Sequence, residues 1–552
     1  MDHDYRYILA FGVALSVGCR VENAEIQRGL NAINAADMAQ KIEVLAADSM
    51  EGRAPSSAGE EKTVTYLVDQ FRRLGLRSGS GEDYVQQVPL VSIAADRNMT
   101  LAVQGRGKVT TLAYGDQFVA FTSRVVERAG IQNSDLVFVG YGIVAPEYGW
   151  NDFAGVDVKG KTIVVLVNDP GFATSDTTLF KGRSMTYYGR WTYKYEEATR
   201  QGAAGVLMVH ETEPAGYPWE VVTGSWSGTR FALESGDDNL SRAAVEGWIT
   251  ADVARQLFRD AGVDYDSLKA RASQRVFQAV PLGLKASLTI RNTLRRSTSR
   301  NVLAVLPGTT RADEYVIYMA HWDHLGRDAT LEGDQIYNGA VDNASGTAGL
   351  LELAKAYAAL DRNPARSVLF LAVTAEEQGL LGSQYYATHP VYPLNQTVAA
   401  INLDGMNLFG PMRDITVVGY GNSELDDYVA EAAKGQHRVV RPDPEPEKGF
   451  YFRSDHFSLA KVGVPALYAD AGTNSVQHGE SWVRQQRDAY TAQRYHKPAD
   501  EYDPAWDLSG AVEDLRLFFR VGYRLANEGT FPNWRPGTEF KAARDTMMAG
   551  SQ

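Results

Sequence analysis

Residues 372–382 read AVTAEEQGLLG. An apolar run, residues 367–374 (SVLFLAVT), stops at two adjacent acids, Glu376 and Glu377. Neighbouring side chains of a strand leave on opposite sides, so the pair can serve two roles at one strand end. Two more apolar runs end in similar chemistry. YVIYMA is followed by His321 and Asp323, and TVAAINL by Asp404. Asp342 lies in NGAVDNASGTAG, ahead of the apolar helix TAGLLELAKAYAAL, which Asn343 or Ser345 can cap. His496 lies in RYHKPADEY, late in the chain.

His321, His496, Asp342, Glu376, Glu377 and Asp404 make a set of two imidazoles and four carboxylates, a normal zinc shell. Excess carboxylate suits two adjacent ions, because one carboxylate can bridge them. A pair of metals about 3.5–4 Å apart holds a water between them and clamps an oxygen anion. Asp323, two residues after His321, is suited to orient that imidazole from outside the ligand shell. Singly, each residue has a plainer reading: a hydrogen-bonded histidine, a capping aspartate, a solvated glutamate pair. Jointly those readings leave unexplained why acids and a histidine end three apolar strands in one region. His210, His389 and His437 have no such setting and read as structural or surface residues.

These residues need a frame. From residue 301 onward, NVLAVLPG, YVIYMA, SVLFLAVT, TVAAINL, DITVVGY and PALYA are short apolar runs, several separated by helical segments. That alternation predicts a doubly wound α/β sheet, mostly parallel and flanked by helices. Ligands of such sheets bind beyond the carboxyl ends of the strands, where the acids and His321 lie. Upstream, helices are predicted over 38–47 and 63–74, the second with Val64, Leu67, Val68, Phe71 and Leu74 on one face and Gly75 as a stop. MEGRAPSSAGEE between them reads as a loop, and 100–130 holds short strand-like runs. Residues 131–290 mix strands (SDLVFVGYGIV, GKTIVVLVNDPG) with a helix and strand (YKYEEATRQGAAGVLMVHE) and hold no acid–histidine cluster. They read as a separate, non-catalytic domain. Residues 267–300 read as a polar, basic return linker, 515–525 as a closing helix, and the tail from 532 as poor in apolar runs.

A chain of 552 residues holds two to four domains. A net charge of −13 argues against a nucleic-acid surface. No apolar stretch after the N-terminus is long enough to span a bilayer. Residues 7–17 (YILAFGVALSV), after Arg6, read as a signal-peptide core. Cys19 is the single cysteine, so the chain forms no internal disulfide. Its place after Gly18 resembles a bacterial lipoprotein cleavage site, although Ser16 stands where that motif has Leu and Asp2 and Asp4 dilute the basic leader. The expectation is export, to the periplasm or cell envelope with a lipid on Cys19 as membrane attachment, or as a secreted protein.

MAHWDHLG, NGAVDNASGTAG, LAVTAEEQGLLGS, INLDGMN, FRSDHFSLAKVGVPAL and YHKPADEY together resemble the co-catalytic zinc aminopeptidase family. That family also contains glutamate carboxypeptidases, glutaminyl cyclases and the transferrin receptor. The resemblance covers about 301–527 and 38–80, and the middle region resembles an inserted protease-associated domain. With the signal peptide over 1–19 read above, it implies the N-terminal part of the peptidase domain over 20–130, the insert over 131–290, the peptidase domain with all metal ligands over 291–530, and a tail over 531–552.

The resemblance also implies two Zn2+ per chain, with His321 a ligand of one zinc, Asp342 the bridge, Glu376 the general base and Glu377 a ligand. Asp404 and His496 complete the shells, and Tyr495 is placed like the oxyanion-stabilising tyrosine of some relatives. Trp322 and Met319 depart from the Tyr and Ser common in the family, at positions that bind no metal. The implied activity is removal of N-terminal residues from peptides. The alternatives are a carboxypeptidase or dipeptidase of the same family, and a receptor-like binding protein. The segment 471–494 is expected to wall the pocket, with Phe450, Tyr451 and Phe452 lining an apolar subsite. Arg453 would bind a substrate carboxylate or pair with Asp455.

Overall fold

The computed structural model describes residues 24–226 and 228–550, so the signal segment and Cys19 lie outside the described residues. The described chain divides into two units. The first comprises residues 24–88, 299–443 and 454–550, and the second residues 89–298 and 444–453.

The first unit is a mixed sheet of seven principal strands: β1 (Val280–Leu306, through its last residues), β2 (Arg311–His321), β3 (Arg366–Val373), β4 (Thr397–Asn402), β5 (Asp414–Val418), β6 (Val439–Pro442) and β7 (Ala466–Ala471). Their order is β1-β3-β2-β4-β7-β5-β6. The central strands β3, β2, β4 and β7 run parallel, while β1 joins β3, and β5 joins β7, antiparallel. All eight residues of β3 and all six of β4 are buried. This is why they read as continuous apolar runs: both faces are covered, so neither face can be polar. The helix Gly346–Ala358 packs against β2 and β3, with Leu350, Leu351 and Leu353 fully buried. Ser57 caps the helix Ala58–Arg73 by accepting from the N–H groups of Gly59 and Glu60.

Register brings the chemistry to one rim. His321 at the end of β2 stands opposite Val373 at the end of β3, and Met319 opposite Asn402 at the end of β4. Glu376 and Asp404 therefore leave the sheet beside His321.

In the second unit, Gly205–His210 runs parallel to Thr162–Leu166 and Val245–Thr250, with Phe118–Phe121 antiparallel to the last. Thr100–Gly105 and Lys108–Ala113 form a hairpin. This moves the expected boundary: the second unit starts at residue 89, not 131. Phe118–Phe121 pairs far along the chain, Phe121 with Glu246, and local sequence carries no mark of that. Residues 267–300 are not a linker. They hold the helix Tyr265–Ala272 and much of β1, where Leu282, Leu284, Ala286, Leu288 and Ile290 are buried in strict alternation beneath a polar face. The tail is docked as well. Within the first unit Trp534 donates to Gly463 O at 2.8 Å, and buried Arg544, on the helix Lys541–Ala549, donates to Thr397 O at 3.1 Å.

Candidate metal centre

The functional side chains sit at a strand end (His321), on turns that follow a strand or precede a helix (Glu376, Glu377, Asp404 and Asp342), or in the loop after a helix (His496). The chain leaves β3 through Ala375, whose φ of 53° turns it sharply before Glu376 and Glu377. Asp342 lies in the irregular turn Ala340–Ser345 that opens the helix Gly346–Ala358. Asn343 caps that helix, accepting from Gly346 N at 2.9 Å and from Gly405 N at 3.0 Å, and so ties the Asp342 turn to the Asp404 turn. His496 stands at a φ of 55° in the loop after the helix Gly479–Gln493.

Two donor groups result, and they share one residue. His321 Nε2 lies 3.3 Å from Asp342 Oδ1 and 3.3 Å from Asp404 Oδ1. His496 Nε2 lies 3.1 Å from Asp342 Oδ2 and 3.1 Å from Glu377 Oε2. The two oxygens of Asp342 thus face different groups, as a bridging carboxylate must. Tetrahedral zinc with ligands at about 2.0–2.1 Å spaces neighbouring donors about 3.3 Å apart, so both groups have the size of a zinc shell.

The electrostatics point the same way. Burial alone would lower the His321 imidazole, but Glu376, Asp404 and Asp342 hold it well above its ordinary value. Burial works against His496 too, yet Asp342 and Glu377 lift it to about 10. Burial would raise Asp342 and Glu377, and the facing histidines instead hold Asp342 well below the usual range and Glu377 at about 2. Glu376 behaves differently. Burial, with Asp404 and Glu377 nearby, pushes it well above the usual carboxylate range, against the pull of His321. Of the adjacent glutamates, Glu377 is thus held as an anion and Glu376 has a raised proton affinity.

His324 is the residue sequence reasoning passes over. It is fully buried, with Nδ1 2.6 Å from Glu377 Oε1, although neither atom makes a hydrogen bond of good geometry. His324 also groups with Asp342 and Glu377 as a donor set. The 2.6 Å approach is too short for two ligands of one zinc, whereas His496 keeps the ligand spacing. His324 Nδ1 therefore faces the oxygen of Glu377 that is turned away from His496. Its only signal is its place in HWDHLG, three residues after His321.

Asp323 differs from its expected part. His321 Nδ1 lies 3.1 Å from the backbone carbonyl of Asp323 and 3.7 Å from its carboxylate. The carboxylate accepts instead from the N–H groups of Glu376 (3.1 Å) and Glu377 (3.4 Å). Burial raises Asp323 to about 8, with His321 opposing. Tyr495 is 45% exposed and stacks on His496, ring centroids 3.9 Å apart. Ser454 donates to Asp404 Oδ2 at 2.5 Å and accepts from Asn402 Nδ2 at 2.7 Å.

The segment 471–494, expected as a polar loop, is largely the helix Gly479–Gln493. Phe450, Tyr451 and Phe452 form a short turn of the second unit, where Phe452 packs on Tyr187 with ring centroids 5.9 Å apart. Arg453 donates to Lys448 O at 2.6 Å and lies over the Phe450 ring.

Residues 301–519 match the model of peptidase family M28. That segment, which holds His321, Asp342, Glu377, Asp404 and His496, is similar to peptidase family M28. The mouse aminopeptidase NAALADL1 is 37% identical over 129 residues, 22% of this chain and 16% of the mouse protein. The probable glutamate carboxypeptidase AMP1 of Arabidopsis thaliana is 26% identical over 385 residues, 64% of this chain and 49% of that protein. The matches thus span less than half the length of either relative. An aminopeptidase from Aneurinibacillus sp. strain AM-1 has a similar fold, with a TM-score of 0.50 and 20% identity over 92% of this chain and 97% of that one.

Proposed function

We propose that the protein is a two-zinc aminopeptidase that hydrolyses the N-terminal residue from peptides, with Glu376 as general base. The observation that carries this reading is Asp342, whose two oxygens face two separate histidine–carboxylate groups at zinc-ligand spacing. His321, Asp342 and Asp404 would hold one ion, and Asp342, Glu377 and His496 the other. Zinc bound there supplies Lewis acidity, which brings the pKa of water toward neutrality and stabilises developing oxyanion charge. Glu376, its proton affinity raised by burial and by Asp404, takes a proton from the attacking water and returns it to the leaving amine. Although the ring is half exposed, desolvation around its hydroxyl and the nearby carboxylates of Asp342, Glu377 and Glu376 raise the Tyr495 phenol, so it stays protonated and can donate to the oxyanion. Asp323 keeps the peptide planes of Glu376 and Glu377 fixed, and His324 keeps Glu377 turned toward His496.

Dipeptides and aminoacyl amides with free and acetylated amines test the activity. Turnover that vanishes on acetylation supports an aminopeptidase. Cleavage only from a free C-terminus would instead favour the carboxypeptidase reading, to which the likeness to AMP1 over 64% of the chain lends support. The family resemblance of VGYGIV, GKTIVVLV and GAAGVLMV supports the second unit as a protease-associated domain. Export, with or without a lipid on Cys19, completes the proposal, and mass spectrometry of the mature N-terminus tests it.

A further inference from the structure

The turn that bears Asp342 is gripped on both sides by buried groups of opposite charge. On one side stands Arg53, 1% exposed, from the N-terminal part of the first unit. Its guanidinium donates to the carbonyls of Asn338 (2.6 Å) and Gly339 (2.8 Å), and also to those of Leu45 (2.7 Å) and Trp322 (2.9 Å). On the other side stands Asp500, fully buried and four residues after His496. Its carboxylate accepts from Val341 N (3.2 Å) and Asp342 N (3.2 Å), and its backbone carbonyl accepts from Ala340 N at 2.9 Å. Five successive residues, 338–342, thus present carbonyls to a cation and N–H groups to an anion.

The turn has no room to settle otherwise. Gly339 sits at a φ of +54°, and a Cβ there would come 2.3 Å from Asp342 O and 2.5 Å from the His324 ring. The charges of Arg53 and Asp500 attract each other through the peptide units they hold. Each also reaches another part of the site. Arg53 binds Trp322 O, between His321 and Asp323, and its own carbonyl accepts from His324 N. Asp500 belongs to the loop of His496, whose Nε2 meets Asp342.

We propose that Arg53 and Asp500 form a clamp that sets the position of Asp342 between the two metal positions, so that both are positioning residues for metal binding. The inference rests on the two-zinc reading above. Geometry and charge make separable contributions. Asp500 is an anion, and removing its charge weakens zinc binding by Coulomb's law alone. Arg53 is a cation, whose charge by itself disfavours a second cation nearby. A variant that keeps the Arg53 charge and loses its planar fork reports on grip only, and Lys is that variant.

The experiment measures zinc affinity by chelator competition on full-length wild type, Arg53→Lys and Asp500→Asn, with circular dichroism as a check on folding. Arg366→Lys is the control. Arg366 is another buried arginine of the same unit, and it donates to Leu525 O, Thr530 O and Glu314. Arg53→Lys and Asp500→Asn are each expected to lower zinc affinity about 10–100-fold, the usual effect of losing a partner behind the ligands. Arg366→Lys is expected to lower Tm and leave zinc affinity unchanged. Should Asp500→Asn fail to fold, Asp500→Glu, which keeps the charge and shifts it by one methylene, is read in the same way. Unchanged affinity in Arg53→Lys beside a loss in Asp500→Asn would mean that Asp500 acts by charge alone, and would overturn the clamp. A double variant that loses the full product of the two factors would show independent contacts and overturn it too. Wild type that takes up no zinc would refute the two-zinc reading itself, and the clamp with it.

Discussion

The carboxylate of Asp323 accepts the backbone N–H of Glu376 at 3.1 Å. It joins the turn after β2 to the turn after β3, and so fixes where the glutamate pair leaves the sheet. Asp323→Asn presents an N–H2 group to one of the two N–H donors and loses a buried acceptor. We expect a fall in kcat of about 10–100-fold with KM changed less than threefold, because misplacing a reacting group reduces rate far more than binding. Steady-state kinetics of the variant check this.

Glu376→Gln keeps the shape of the side chain but accepts no proton. It should retain both zinc ions and substrate binding while losing about 10²–10⁴ in turnover. Metal analysis beside kinetics separates this from a surface acid pair, which would give normal rates.

Glu377→Gln replaces an anionic ligand with a neutral, weaker one. Zinc should be lost from at least one position, and added zinc should restore part of the activity. His324→Ala should act in the same direction and less strongly, by releasing the outer oxygen of Glu377. If Glu376→Gln loses metal and Glu377→Gln retains it, the two roles are reversed.

Chelation should make stability depend on pH. His496 rises from 6.5 to about 10 in the fold. A group raised on folding stabilises fully below its unfolded pKa and loses that contribution as pH climbs through the folded value. Asp323, raised from 3.8 to about 8 by burial, also loses its contribution as pH rises. The chelated protein should therefore show a Tm that falls between about pH 6.5 and 10. The zinc-loaded protein should be more stable throughout that window, since a ligand that binds only the folded state adds stability. Calorimetry at several pH values, with and without chelator, checks the sign. A chelated Tm that rises over this window would contradict it.

Much of the first unit is legible in sequence because its strands are buried on both faces and stand out as apolar runs, as β3 and β4 do. The candidate ligands are legible because the strands deliver them to one rim. What local sequence hides is long-range. Residues 282–290 alternate cleanly, but a polar face and basic flanks mask the strand. Phe118–Phe121 is placed in the second unit by pairing with a strand more than a hundred residues later and by packing in that unit's core. His324 is one residue past Asp323 and becomes informative only when Glu377 is folded against it. Arg53 sits in a stretch that reads as a loop, and its four carbonyl partners are set by tertiary structure alone.

The central claim is that Asp342 stands between two metal ions. Anomalous diffraction at the zinc edge, from crystals of the zinc-loaded protein, tests it most directly. Two peaks about 3.5–4 Å apart are expected, one against His321, Asp342 and Asp404 and the other against Asp342, Glu377 and His496. A single peak, or two peaks of which only one touches Asp342, would contradict the account.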